Sequence, residues 1–209
     1  MEKKIITISR EFGSGGRTIG RQVAEKLGIP FYDKELVDQI AMESGFAPKF
    51  VEEHGEHSPG KSLFSYAFAP QGVPGVMNGL STADFLWNIQ CNVILQLAEK
   101  GPCVFIGRCA DEALSERDDV LNIFIHASED FRIARVRNYP EYIKQEQRDT
   151  RITDYMAKID RQRQSYYNYY ASGKWGRVET YDYTFDSSIL GIDGTVHLIT
   201  QLIDDFEAR

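Results

Sequence analysis

IITISREFGSGGRTIG, residues 5–20, is the stretch from which the rest of the chain can be read. Ile5, Ile6, Thr7 and Ile8 make a short β-branched run of strand type. Gly13-Ser14-Gly15-Gly16 follows as a glycine-rich turn, and Arg17-Thr18 opens a helical pattern through Ile19, Val23, Ala24 and Leu27. A strand, a glycine loop and a helix that starts with a basic residue and a hydroxyl are laid out as a phosphate cradle. Backbone N–H groups at the helix N-terminus face the anion, and glycines let the backbone come close to it. Against the phosphate-loop pattern G-x-x-x-x-G-K-[ST], the first glycine position holds Glu11 and the lysine position holds Arg17. On this stretch alone, a plain glycine turn joining strand to helix stays open beside a phosphate loop with two altered letters.

The 209 residues predict one domain of ordinary size, 1–209, with room for a small inserted lobe. Hydrophobic content of 42% and charged content of 26% are those of a soluble globular protein. The net charge of −7 argues against general nucleic-acid or membrane-surface binding. No apolar run approaches the ~20 residues that span a bilayer, and MEKKIITI has no long apolar signal region. Three cysteines, Cys91, Cys103 and Cys109, lack metal-type spacing, which predicts a reduced, cytoplasmic protein.

Strand and helix patterns alternate along the chain. Gly28 caps the first helix, Ile29–Tyr32 reads as a second strand ending at Asp33, and a helix is expected over 34–44. Residues 45–81 break this rhythm with many glycines and prolines among aromatic residues, and are expected to form a small mobile lobe. A helix over about 82–100 leads into the apolar run Cys103–Ile106, which ends at Gly107-Arg108, and a helix is expected over about 108–116. Val120–Ile125 is a fourth strand, Ser128 caps a helix carrying Arg132 and Arg135, and 149–171 is helical with Arg161 and Arg163. Tyr181–Asp186 is a fifth strand, and the last helix follows Gly194.

This alternation favours an α/β fold with a parallel sheet. Ligands bind such sheets outside the carboxyl ends of the strands. Three strands end in charged groups, Arg10-Glu11, Asp33 and Arg108, and these ends should converge on one cleft beside the glycine loop. Arg17, Arg108, Arg132, Arg135, Arg161 and Arg163 are then available to an anion, which guanidinium groups bind through paired N–H donors. Phosphoryl transfer asks for this kind of site: positioned phosphates, Mg²⁺, and cations where charge spreads in the transition state. Thr18 would give its hydroxyl to Mg²⁺ and Arg17 would contact the β- and γ-phosphates.

The chain resembles the cytidylate kinase-like family of P-loop kinases. The matching stretches are ITISREFGSGGRTIG (6–20), PFYDKELV (30–37), GPCVFIGRCAD (101–111), FIHASEDFRIARV (124–136), KIDRQRQSYYNYY (158–170) and YDYTFDSSILGIDG (181–194). The resemblance implies a three-layer P-loop kinase fold with a five-stranded parallel sheet, an acceptor-binding lobe at 45–81 and a helical lid at about 140–176. It implies ATP and Mg²⁺ as cofactors, and a nucleoside monophosphate or related small phosphorylated acceptor. Gly13, Ser14, Gly15, Gly16, Arg17 and Thr18 would then be the phosphate loop, with Arg132 and Arg135 on the helix after strand four also binding the donor. Arg108 would bind the acceptor's phosphate and serve catalysis with Arg17, while Arg161 and Arg163 would be lid arginines reaching the transferring group. Asp33 and Asp111 would lie by the acceptor.

Several positions depart from the family pattern. Lys34-Glu35-Leu36-Val37-Asp38-Gln39 lacks the serine and arginine that hold the acceptor nucleotide in cytidylate kinases. Gly107-Arg108-Cys109 replaces Gly-Arg-Asp, and strand three lacks a terminal acid for Mg²⁺. Acceptor identity therefore stays open, and so does a degenerate P-loop protein that binds nucleotide without transferring phosphate. Arg132 and Arg135 also fit a solvated helix face. Arg161 and Arg163 do not share a face, so one of them is expected in the cleft. Tyr166, Tyr167, Tyr169 and Tyr170 read as helix packing, and the histidines show no metal spacing.

Overall fold

The computed structural model describes residues 5–56, 80–139 and 151–207. Five strands form one all-parallel sheet: β1 (Ile5–Arg10), β2 (Phe31–Tyr32), β3 (Cys103–Ile106), β4 (Val120–His126) and β5 (Tyr183–Asp186). Their spatial order is β2-β3-β1-β4-β5, so β1 is central, pairing Ile5 with both Cys103 and Val120. Eight helices accompany them among the described residues: α1 (Gly16–Leu27), α2 (Lys34–Ser44), α3 (Pro48–His54), α4 (Thr82–Glu99), α5 (Ala110–Ala113), α6 (Glu129–Asn138), α7 (Ile152–Tyr170) and α8 (Ser187–Glu207).

The period-2 alternation of β1 sorts the core into two faces. Ile6 and Ile8 point to one side, where Ile19 and Val23 of α1 and Val196 and Ile199 of α8 cover them. Ile5 points to the other side and joins Leu36 and Ile40 of α2 with Val93, Ile94 and Leu97 of α4. Helices on both faces make the three layers of the expected fold, and they explain why the central strands are apolar on both sides. Each fully buried isoleucine contributes about 1.5–3 kcal/mol.

Element boundaries differ from expectation where local chemistry intervenes. A 3-10 turn at Val178–Thr180 takes up the chain before β5, so the strand starts at Tyr183 and not at Tyr181. The last helix begins at Ser187 and kinks at Gly191, whose φ of 68° no regular helix accommodates. The helix after β3 is only Ala110–Ala113, because Arg108 and Cys109 adopt left-handed backbone. Of the stretch 45–81, expected as a lobe, α3 and residues 80–81 before α4 are described and 57–79 lie outside the described residues; of the stretch 140–176, expected as a lid, 140–150 lie outside them. All three cysteines are free thiols, with Cys103 and Cys109 buried. No described helix is long and apolar enough to cross a membrane.

Candidate functional site

The loop between β1 and α1 is shaped by glycine and pinned by hydroxyls. Gly15 caps α1 in left-handed conformation at φ 87°, and a Cβ there would fall 2.4 Å from Ile192 Cδ1. The Ser14 hydroxyl, fully buried, donates to the Glu11 carbonyl at 2.9 Å. The Ser187 hydroxyl donates to the Ser14 carbonyl at 2.6 Å, tying the loop to the start of α8. The first-turn amides of α1 at Arg17 and Thr18 have no intrahelical acceptor and stay available to an anion, at the positive end of the helix dipole.

The three charged strand ends meet beside this loop. A cleft of about 420 Å³ is lined by Arg10, Glu11, Asp33 and Arg108 together with Gly13, Gly15, Gly16, Arg17, Arg135 and Arg163. That size suits a small-molecule site. Lys34 and Lys49 add cationic groups to the wall, and Asp38, Glu52 and Glu56 add anionic ones.

Each arginine has a distinct setting. Arg17 projects from the first turn of α1, is partly exposed, and pairs with Asp33 at the end of β2. Arg135 donates from Nη2 to the Thr18 hydroxyl at 2.8 Å and stacks over the Tyr139 ring; among the described residues its buried Nε has no hydrogen-bond partner. Arg163 donates to the Arg10 carbonyl at 3.2 Å and lies over the Phe12 ring, and its buried Nε too is unbonded among the described residues. Burial, and secondarily the Arg10 charge, push the Arg163 guanidinium down to about 10, against the pull of Glu56 and Asp160. These unfilled guanidinium donors beside open backbone amides fit an oxyanion of phosphate type.

Not every expected residue is brought to the cleft. Arg161 is exposed on α7 and does not line it, whereas Arg163 does; the two indeed face apart. Arg132 turns back onto the loop's own backbone, donating to the Phe12 carbonyl at 2.7 Å and pairing with Glu11 at 3.3 Å and with Asp160. Glu11 also accepts the Ala127 N–H at 3.2 Å, so the residue in place of the pattern's first glycine braces the loop against the end of β4. Asp111 lies in a separate hollow with Glu112, Lys174 and Arg177, where it accepts the Tyr167 hydroxyl. Tyr166 and Tyr167 pack with Cys109, Trp87, Tyr170 and Trp175 as a helix-packing cluster.

Other residues of the site had no clear mark in the sequence. Asp160 accepts the Phe12 N–H at 2.7 Å and holds Arg132. Gln90, polar among the apolar positions of α4, donates to the Arg108 carbonyl and the Tyr166 hydroxyl, both at 2.7 Å. Glu56 accepts the Arg108 N–H at 3.0 Å and lies 3.5 Å from Arg10 Nη1. Burial alone would raise its carboxyl, but the charges of Arg10, Arg108 and Arg163 and the Arg108 amide outweigh this and hold it at about 2.

For a metal, Asp33 puts a carboxylate on the cleft wall, whereas Ser14 and Thr18 do not line the cleft: Ser14 is fully buried, and the Thr18 hydroxyl lies behind the wall residue Arg135, from which it accepts; no cluster of three metal-ligating side chains occurs among the described residues. This suits Mg²⁺, which keeps several waters and is held by one or two protein oxygens plus substrate phosphates.

Comparison with known proteins agrees with this architecture. Residues 5–189 match the model of the cytidylate kinase-like family. No curated protein matches the chain. Among solved structures, an uncharacterized protein from Eubacterium ventriosum superposes with a TM-score of 0.67 at 28% identity, over 96% of this chain and 98% of that one. Shikimate kinase from Bacteroides thetaiotaomicron gives 0.57 at 16% identity, over 96% and 98%. Shikimate kinase from Acinetobacter baumannii in complex with shikimate gives 0.52 at 16% identity, over 99% and 96%. At such identities the two shikimate kinases speak for the fold, which is that of P-loop kinases.

Proposed function

The chain belongs to the cytidylate kinase-like family, and on that footing we propose that it is an ATP-dependent phosphotransferase acting on a nucleoside monophosphate or a related small phosphorylated acceptor. One observation carries this reading: Gly13, Gly15, Gly16 and Arg17 of the loop and the arginines Arg108, Arg135 and Arg163, from three later segments, line a single cleft. The amides of Arg17 and Thr18 and the Arg17 side chain hold the donor's phosphates. Mg²⁺, with the Asp33 carboxylate nearby, would neutralise charge across the phosphates as it does in P-loop kinases generally. Arg135 and Arg163 stand where they can stabilise negative charge spreading from the transferred group, the largest contribution this chemistry asks of a protein. Arg108 positions the acceptor.

ADP release would be followed with ATP·Mg²⁺ and a panel of nucleoside monophosphates, nucleosides and shikimate. Turnover with a monophosphate is expected; no ADP above the acceptor-free rate with any of them sinks the proposal. A second reading, nucleotide binding without transfer, is favoured by Arg17 being paired with Asp33. ATP binding without ADP release on the same panel would select it.

A further inference from the structure

Arg108 is 8% exposed, and among the described residues no carboxylate oxygen lies within ion-pair distance of its guanidinium. Among the described residues its guanidinium meets only neutral oxygens, the Val51 carbonyl at 3.4 Å and Gln90 Oε1 at 3.5 Å. Both contacts are at the long limit of a hydrogen bond. A cation taken out of water without a matched anion is held at considerable cost. Its backbone is held in an uncommon state too. Gly107, Arg108 and Cys109 have φ values of 64°, 59° and 49°, a left-handed run in which two residues carry side chains. Such conformations cost about 1–3 kcal/mol each and persist where the surroundings over-determine them. Here the Gln90 amide on the Arg108 carbonyl and Glu56 on the Arg108 N–H do so.

Glu56 is the carboxylate amid these cations, and its fit is poor. Only Oε1 is engaged among the described residues, by the Arg108 amide and, at 3.5 Å, by Arg10 Nη1. A settled arginine–carboxylate pair looks different in the same chain: Arg117 grips both oxygens of Asp119 at 2.9 Å. The space around Glu56 is fitted to guanidinium groups. A Cβ on Gly107 would lie 1.8 Å from Arg10 Nη1 and 2.8 Å from Glu56 Oε1, and one on Gly55 would lie 2.1 Å from Arg108 Nη1. Arg163 acts on the same carboxylate through its charge. Three cations thus act on one anion in the wall of the cleft, which they hold by charge while only one of its oxygens is hydrogen-bonded among the described residues.

We propose that the Glu56 carboxylate holds the place of an anionic group of the acceptor, a phosphate or carboxylate, which on binding displaces it from Arg10, Arg108 and Arg163 and pairs with them instead. The inference rests on the acceptor side assigned under the proposed function. It adds that the site is occupied by its own side chain until a ligand anion exchanges with it, so the acceptor is recognised by an oxyanion able to use the paired donors of several guanidinium groups.

Inorganic phosphate is titrated calorimetrically into the whole chain, without nucleotide, for the wild type, Glu56→Gln and Glu56→Asp. Removing the placeholder is expected to tighten phosphate binding about tenfold in Glu56→Gln, equivalent to ~1.4 kcal/mol. Glu56→Asp keeps the charge but falls one methylene short, and is expected to bind several-fold more tightly than wild type; it carries the test alone if Glu56→Gln fails to fold. The gain should persist when Arg17→Ala is added, which weakens the phosphate loop and leaves the Arg108 site intact. Glu56→Asp at wild-type affinity overturns the proposal, because the effect would then be one of net charge. Loss of the gain with Arg17→Ala overturns it as well, because the anion would then sit in the loop. Malonate titrated in parallel separates a carboxylate acceptor from a phosphorylated one, by whichever shows the larger gain. The titration involves no turnover. If it behaves as expected while the acceptor panel stays silent, only the kinase reading falls; the converse overturns only the placeholder.

Discussion

Arg132 Nε donates to the Phe12 carbonyl at 2.7 Å, from a helix that begins more than a hundred residues later in the chain. The same Phe12 gives its N–H to Asp160 at 2.7 Å, and Asp160 in turn pairs with Arg132. Both polar groups of the residue that enters the phosphate loop are therefore gripped by one ion pair, built from α6 and α7. Phe12 also meets Tyr155 edge-on and lies under Arg163, so α7 and the loop are fastened together. An arginine that the motif alone would send to a phosphate serves here to fix the loop's entrance, and Arg163 rides on the helix that this clamp holds.

Asp160→Ala should therefore destabilise the fold and loosen the loop together. It leaves Arg132, 11% exposed at its side chain, with Glu11 at 3.3 Å as its remaining carboxylate among the described residues, and it removes the oxygen that accepts the Phe12 N–H at 2.7 Å. Removing one partner of a shielded pair costs about 3 kcal/mol. Urea unfolding should show a loss of that order, with nucleotide affinity falling in the variant that remains folded.

Arg17→Ala should separate stability from function in the opposite sense. Its side chain is 41% exposed and solvent partly screens its pair with Asp33, whose side chain is 21% exposed, so unfolding should change by about 1 kcal/mol. As a donor to the transferring phosphates, its loss should lower kcat by about a hundredfold. Steady-state kinetics on the accepted monophosphate check this, and a wild-type kcat in the variant would remove Arg17 from the chemistry.

What the sequence made legible was local. Ile5–Arg10, the glycine loop and α1 are contiguous, and their periodicities and turn residues speak for themselves. The charged strand ends Arg10-Glu11, Asp33 and Arg108 could be placed together because parallel strands carry their carboxyl ends to one edge. The helical period also said that Arg161 and Arg163 could not both reach the cleft, but not which of them does. The clamp and the Glu56 slot could not be read in this way, because their partners are remote: Phe12 and Asp160 are 148 positions apart, Glu56 and Arg108 are 52. Nothing in the run Asp160-Arg161-Gln162-Arg163 says which carboxylate braces a loop. Gln90 was the most readable of the missed residues, since a lone amide among Leu86, Val93 and Leu97 has to find partners once buried. The left-handed Arg108-Cys109 pair shortened the helix after β3, because neighbours from α4 and the turn after α3 override local preference there.

Two glycine substitutions should have contrasting effects. Gly15→Ala places a methyl 2.4 Å from Ile192 Cδ1 at a φ of 87°, within the cradle itself. Gly20→Ala places one 2.5 Å from Ile106 Cδ1 and 3.1 Å from Ile8 Cδ1, where α1 packs on the sheet away from the loop. Each should cost about 1–3 kcal/mol, the first through backbone strain and the second through overpacking. Only Gly15→Ala should also abolish nucleotide-dependent thermal stabilisation. Equal loss of that stabilisation in both variants would mean that the cradle is not the nucleotide's site.

Asp111 should give the fold a pH dependence opposite to that of most carboxylates. Burial pushes its carboxyl up to about 6, against the Tyr167 hydroxyl and neighbouring backbone amides that favour the ionised form. A folded-state pKa above the unfolded one means that the folded protein binds the proton more tightly. The stabilisation is fully present below the unfolded value of about 4 and is lost as pH rises through about 6. Asp111→Asn keeps an acceptor for Tyr167 and removes the titration. Urea midpoints measured from pH 4 to 7 should therefore fall more steeply with pH in the wild type than in Asp111→Asn. Because Asp111 lies in a hollow apart from the cleft, the substitution should leave turnover unchanged across the same range; parallel pH profiles of stability in the two proteins would show that the carboxyl is not held protonated by its surroundings.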